Sequence, residues 1–234
     1  MFSQYNFKEI KDPYMYRLAS EHVRLDKLSH ANPDMVSIMG VEFSKKFPHP
    51  PVQYEVTYNL TSYTGIDEEQ HPRQGKEHKM QLRIPINFPE QPAECKMVSD
   101  TWHPNIKSGG PFKGSICTNH KGFGALFFLD ELVIRIGEFL QYKKYMAEDR
   151  EPWPEDQKVA RWVREVAEPK AWVDRRKGLF LDERPWIHID ELLKEEEEPT
   201  EDAIQLSEKT EPSTKPPKAK SKKASNGDID IQLK

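Results

Sequence analysis

QYEVTYNL, residues 53–60, alternates without a break: Tyr54, Val56, Tyr58 and Leu60 take one face, and Gln53, Glu55, Thr57 and Asn59 the other. A strict period of two is the mark of a half-buried β-strand. KMQLRIPI (79–86) repeats the pattern, with Met80, Leu82, Ile84 and Ile86 on its apolar face. MVSIMGVEF (35–43) comes before this pair and CKMVS (95–99) after it. The connections are turn-like: FPHPP (47–51), a long polar hairpin loop over 62–78, and the Pro-rich NFPEQPAE (87–94). Four strands joined in order by such links predict an antiparallel meander.

Outside the meander the period changes to that of helices. Asp12-Pro13 is a helix start, with a capping carboxylate followed by a ring already set at helical φ. Met15, Leu18, Ala19, His22 and Leu25 follow at helical spacing, and Asn32-Pro33-Asp34 ends the run. After the strands, Leu129, Leu132, Val133, Ile136 and Leu140 mark a second amphipathic helix within 128–145. Val159, Trp162, Val163 and Val166 mark a third, entered through Pro152-Trp153-Pro154 and spanning 152–168. Helix, four strands, irregular loop, helix, helix is an α+β order, with helices covering one face of the sheet.

The chain has 234 residues, 36% hydrophobic and 32% charged, with a net charge of −4. That is long enough for one domain of about 150 residues plus additional material. Acidic and basic residues are mixed, so there is no basic stripe for nucleic acid. No apolar run reaches signal-peptide or membrane-span length. Two cysteines, Cys95 and Cys117, cannot build a disulfide framework, and the expected compartment is a reducing cytoplasm. Beyond Pro169, the apolar residues Trp172, Leu179, Phe180, Leu181, Trp186 and Ile187 predict an extension over 169–194 packed on the core. Residues 195–234, with EEEEPTED and STKPPKAKSKKASNG, have the composition of a disordered charged tail.

Chemistry concentrates in HPNIKSGGPFKGSIC, from His103 to Cys117. Pro104, Gly109, Gly110, Pro111 and Gly114 make this a shaped loop, and long irregular loops in compact domains are usually functional. A thiol there is either a small buried side chain or a nucleophile. For acyl chemistry the site needs an oxyanion donor, and the Asn105 amide is a candidate; Asn is equally a loop brace. His103 and His120 are the nearby imidazoles. With Cys117 and Cys95 they would form a metal set, but paired C-x₂₋₄-C spacing is absent and no metal is expected. A Cys/His hydrolase using His103 or His120 as base is the other enzyme class. Cys95, in an alternating strand, reads as structural.

The element order together with "RIPINFP…HPNI…GSIC" resembles the ubiquitin-conjugating enzymes, carriers that hold a ubiquitin-like protein as a thioester and pass it to an amine. The resemblance covers residues 13–168. It rests on the Phe88-Pro89 turn, the His103-Pro104-Asn105 triplet and Gly114-Ser115-Ile116-Cys117, followed by a crossing helix and a Pro-led helix. It implies the α+β ubiquitin-conjugating fold and a thioester on Cys117. It implies Asn105 as the residue supporting the active-site loop or the oxyanion intermediate, with His103 and Pro104 as structural partners and His120 as a supporting neighbour. Glu151, before Pro152, would be the acid beside the incoming lysine, with Asp149 next to it. A surface acid near a helix N-terminus is also a routine dipole complement. The first helix would meet the activating enzyme through Arg17, Arg24 and Lys27, although scattered helix cations are usually a solvated face.

The resemblance further implies no cofactor. The implied partners are a ubiquitin-like modifier, a separate ATP-dependent activating enzyme and a target protein with an acceptor lysine, with no nucleic acid and no membrane. Three departures stand out. KSGGPFKG lengthens the stretch between Asn105 and Cys117, the aromatic-bearing segment after Phe-Pro reads EQPAECKM, and TNHKGFGALFF lacks the usual tryptophan after the cysteine. These look like divergent bacterial relatives whose operons often serve antiviral defence. The alternative is a non-catalytic binding module of the same fold that recognises a ubiquitin-like protein.

Overall fold

In a computed structural model residues 5–117 and 128–191 are described. Helix α1 (Pro13–Ala31) starts where Asp12 Oδ1 accepts the amides of Tyr14 (2.9 Å) and Met15 (3.4 Å). A cap of this kind stabilises a helix by about 1 kcal/mol. Met15, Leu18, Ala19, Leu25 and Leu28 form its buried stripe. The helix ends at Asn32, whose side chain accepts the Ile187 amide (2.9 Å) and donates to the Ile187 carbonyl (3.0 Å).

The sheet is an antiparallel meander in the order β1 (Val36–Phe43), β2 (Pro51–Tyr58), β5 (His78–Arg83), β6 (Glu94–Met97). Tyr54, Val56, Tyr58, Met80 and Leu82 face the core as their alternation requires. The fourth residue of the second apolar set departs from it: β5 stops at Arg83, Ile84 is buried and Ile86 is 84% exposed. Pro85 interrupts the pairing, and the period of two lapses with it.

The stretch 62–78 is more ordered than a loop. It folds into a separate hairpin of β3 (Ser62–Ile66) and β4 (Pro72–Gly75). Helix α2 (Leu129–Leu140) lies among the core side chains, and the Tyr58 hydroxyl donates to its Val133 carbonyl at 3.0 Å. Helix α3 is shorter than the sequence pattern predicts: Gln157–Trp162, followed by a π-helical turn at Val163–Ala167.

One core joins α1, the inner sheet face and α2, and takes in Trp186 and Ile189. A second, aromatic cluster of Tyr63, Trp102, Tyr142, Tyr145 and Trp162 lies where β3, α3 and the segment after α2 meet. Trp186 stands edge-on to Tyr58 (centroids 6.4 Å apart), donates to Gln141 Oε1 (3.0 Å) and packs against Gly137, where a β-carbon would come within 2.1 Å of the indole. No helix among the described residues is long and apolar enough to cross a membrane. Residues 195–234, expected to form a charged tail, lie outside the described residues.

Candidate functional site

The stretch 103–117 folds as a hairpin. The Cys117 amide donates to the Asn105 carbonyl (2.9 Å), the Lys107 amide to Ser115 (2.9 Å) and the Gly114 amide to Lys107 (2.8 Å), with Ile106 and Ile116 bridged between them. The Met97 amide donates to the Gly114 carbonyl (2.8 Å), and Lys96 bridges Ser115, so the cysteine strand continues the sheet beyond β6. Gly114 sits at φ +85°, and a β-carbon there would lie 2.1 Å from the Met97 oxygen. Only glycine satisfies both demands. The extra residues of KSGGPFKG form the tip, where Phe112 is 68% exposed and Lys113 meets Asp100 at 2.5 Å.

Asn105 is 2% exposed, and its Oδ1 accepts the Met146 amide at 2.9 Å. Its backbone amide donates to His103 Nδ1 at 3.1 Å. That bond makes Nδ1 an acceptor and puts the neutral ring's proton on Nε2. His103 is fully buried, stacked on Phe139 (5.3 Å, 15° between planes) and edge-on to Tyr142 (4.8 Å). Burial pushes its pKa down to about 3. It is a neutral structural acceptor, poorly suited to serve as a base.

A second clamp holds the first strand of the hairpin to α3. The Pro104 carbonyl accepts the Asp156 amide (2.9 Å), and Lys107 Nζ donates to the Glu155 carbonyl (3.1 Å). Asp156 Oδ2 accepts both the amide (2.9 Å) and the hydroxyl (2.7 Å) of Ser108, while Oδ1 caps α3 at the Val159 amide (3.1 Å). Burial works to raise the pKa of this carboxyl, but the Ser108 and Val159 hydrogen bonds and the Lys107 charge outweigh it and hold the group below its usual value. Asp156 falls inside the helix predicted over 152–168, so the sequence pattern gives it no role of its own, and its Ser108 partner is 48 positions away.

Cys117 is half-buried at the end of its strand. Asp149 and Glu151 are exposed on the segment between α2 and α3, next to Trp153, which is 50% exposed. His120 lies outside the described residues. Cys95 pairs with Leu82 in the sheet, and burial pushes its thiol up to about 12, so it stays protonated and inert. Among the described residues, the trio of carboxylate and imidazole groups close enough to share a cation is Asp67, Glu69 and His71, on the exposed turn after β3. It includes neither Cys95, His103 nor Cys117.

The three α1 cations have different surroundings. Arg24 grips both oxygens of Asp130 (2.8 and 2.7 Å), reaches Asp190 (2.8 Å) and lies over the Phe128 ring (4.1 Å). This guanidinium is engaged inside the molecule. Arg17 pairs with Glu21 (2.6 Å) and also lies over the Phe128 ring (4.6 Å to its centroid), and Lys27 is half-buried. Glu21 itself is fully buried and caps α2 from outside that helix, accepting the Leu129 amide at 2.7 Å. Helical spacing alone places Glu21 on no functional list, and the contact that gives it meaning is 108 positions away.

No protein-family model matches the chain, and no curated protein does. Among solved structures, the chain is similar to a putative ubiquitin-conjugating enzyme from Plasmodium yoelii, at 20% identity over 68% of this chain and 89% of that one (TM-score 0.47). It is also similar to the E2 domain of a Toxoplasma gondii ubiquitin-conjugating enzyme, at 20% identity over 67% and 90% (TM-score 0.44).

Proposed function

We propose that this protein is a conjugating enzyme that carries a ubiquitin-like modifier as a thioester on Cys117 and transfers it to a lysine. The observation that carries this reading is the hairpin, which sets a half-buried Cys117 across from Asn105, with the cysteine strand on the sheet edge and the Asn105 strand clamped to the start of α3. In the first step the Cys117 thiolate attacks the thioester carbonyl on an activating enzyme. A new C–S bond forms, and the activating enzyme's sulfur leaves as thiolate. In the second, a neutral lysine amine attacks the Cys117 thioester. The C–N bond forms, the C–S bond breaks, and the amine's proton passes to solvent or to an exposed carboxylate of the Asp149–Glu151 segment. Positioned backbone and side-chain amides would bear the developing oxyanion. The resemblance to bacterial conjugation systems makes antiviral defence in the cytoplasm the proposed setting.

A loading assay tests the proposal. The protein is mixed with a candidate activating enzyme, its modifier and ATP, and run on gels with and without reductant. The expected result is a reductant-sensitive adduct that disappears in Cys117→Ala. If no adduct forms with an activating enzyme shown to be charged, the carrier reading fails in favour of a binding module.

A further inference from the structure

We infer that Asp156 is the positioning residue of the Cys117 site, acting through Ser108. A helix cap needs one carboxylate oxygen, and Oδ1 fills that role at Val159. The second oxygen has a separate task. It takes both donors of Ser108, at 2.9 and 2.7 Å, and Asp156's own amide returns a bond to Pro104. One residue, 6% exposed, thus ties α3 to both ends of the segment 104–108. The cysteine strand hangs from that segment by the Lys107–Ser115, Gly114–Lys107 and Cys117–Asn105 bonds. Loosening Ser108 therefore loosens the strand that fixes the sulfur, while the α3 cap and the Asn105–Met146 bond remain.

The cause is electrostatic as well as geometric. A largely buried carboxylate accepting three bonds makes charge-assisted interactions, about twice as strong as neutral ones. A serine held by two of them has little freedom to move. The consequence for chemistry is that a displacement of about 1 Å at a reacting group costs on the order of a hundredfold in rate. The inference rests on the carrier reading only for its effect on transfer. Its effect on the position of Cys117 stands without it.

The test uses the whole protein and separates these parts. Asp156→Ala would remove the α3 cap as well, so Ser108→Ala is the informative variant and Ser108→Thr, which keeps the hydroxyl, is the rescue. In Ser108→Ala, amide exchange at Cys117 should speed up about tenfold or more, while the Val159 and Met146 amides keep their protection. Alkylation of Cys117 by iodoacetamide should rise by about threefold or more at unchanged Tm, because the half-buried sulfur is less restrained. Single-turnover discharge to lysine should fall about tenfold, with the KM for the charged activating enzyme unchanged. Ser108→Thr should restore all three. Unchanged exchange and alkylation in Ser108→Ala would overturn the inference, as would a Ser108→Thr protein that behaves like Ser108→Ala. If exchange and alkylation shift but no thioester forms with any pair, positioning holds and the carrier reading is what fails.

Discussion

The amide of Cys117 donates to the carbonyl of Asn105 at 2.9 Å, across a hairpin, although KSGGPFKG separates the two in sequence. The residues between Lys107 and Gly114 form the tip, and the base is paired through Asn105–Cys117, Ile106–Ile116 and Lys107–Ser115. What Asn105 does with its side chain is also fixed at one atom: Oδ1 is committed to Met146. The residue is a brace in this structure, whatever its amide contributes during transfer.

Asn105→Ala should therefore destabilise the protein as well as slow it. Removing the acceptor strands the Met146 amide, a loss of about 1–3 kcal/mol by the cost of an unsatisfied buried donor. Urea unfolding would show the loss. If Asn105 also stabilises the oxyanion, discharge should slow far more than loading in the fraction that stays folded; equal slowing of both would leave it a brace alone.

Gly114→Ala should be more severe. It puts a β-carbon against the Met97 oxygen and asks alanine to hold φ +85°. The left-handed region alone costs about 1–2 kcal/mol, and the contact adds to it. We expect a loss of about 2 kcal/mol or more, read by chemical denaturation, and a Cys117 that no longer loads. A Gly114→Ala protein of unchanged stability would contradict the pairing described for the cysteine strand.

His103 sets an acid limit on stability. Its pKa is depressed in the folded protein, to about 3, so the unfolded chain binds the proton first. Stability is fully present above the unfolded value near 6.5, declines as pH falls below it, and stops declining below the folded value. The slope in that window is up to about 1.4 kcal/mol per pH unit from this residue alone. His103→Gln, which keeps an acceptor without titrating, should flatten the urea midpoint between pH 6.5 and 4. An unchanged slope would mean that the ring is already charged in the folded state.

Trp186→Ala tests whether residues after α3 belong to the folding unit. The indole fills space against Gly137 and Tyr58 and bonds Gln141. Its loss should cost about 3–5 kcal/mol, the range for large aromatic truncations in cores, in a single cooperative transition. A separate, earlier transition would show that the extension unfolds by itself.

The elements that were legible in the sequence are those whose signal is local. Asp12-Pro13 and the Met15–Leu18–Leu25 spacing place α1, and the alternation in 53–60 and 79–83 places the two central strands. The β3–β4 hairpin was hidden because SYTGI and PRQG are short and rich in small, polar and proline residues, so no period can be counted. Val159 to Val166 reads as one helix because a π-turn preserves the spacing of its buried residues well enough to mimic α-periodicity. Within the candidate site, the motif places His103, Asn105 and Cys117 on one loop, and hydrogen bonds link Asn105 to both of the others. Asp156, Glu21 and Asn105's tie to Met146 were not legible, since each depends on a partner 41 to 108 positions away.

The pinned base of the Cys117 hairpin also makes its tip a natural port for engineering. Loop-closure entropy grows slowly with length, by about 0.6 kcal/mol for each doubling. Both ends of the tip are already held, at Lys107 and Gly114, and Gly109 and Gly110 have open space around them. A short epitope or fluorophore-labelling peptide grafted between those glycines would leave in place the bonds that orient Cys117. The chain would then carry a handle at one defined point while the cysteine itself stays untouched.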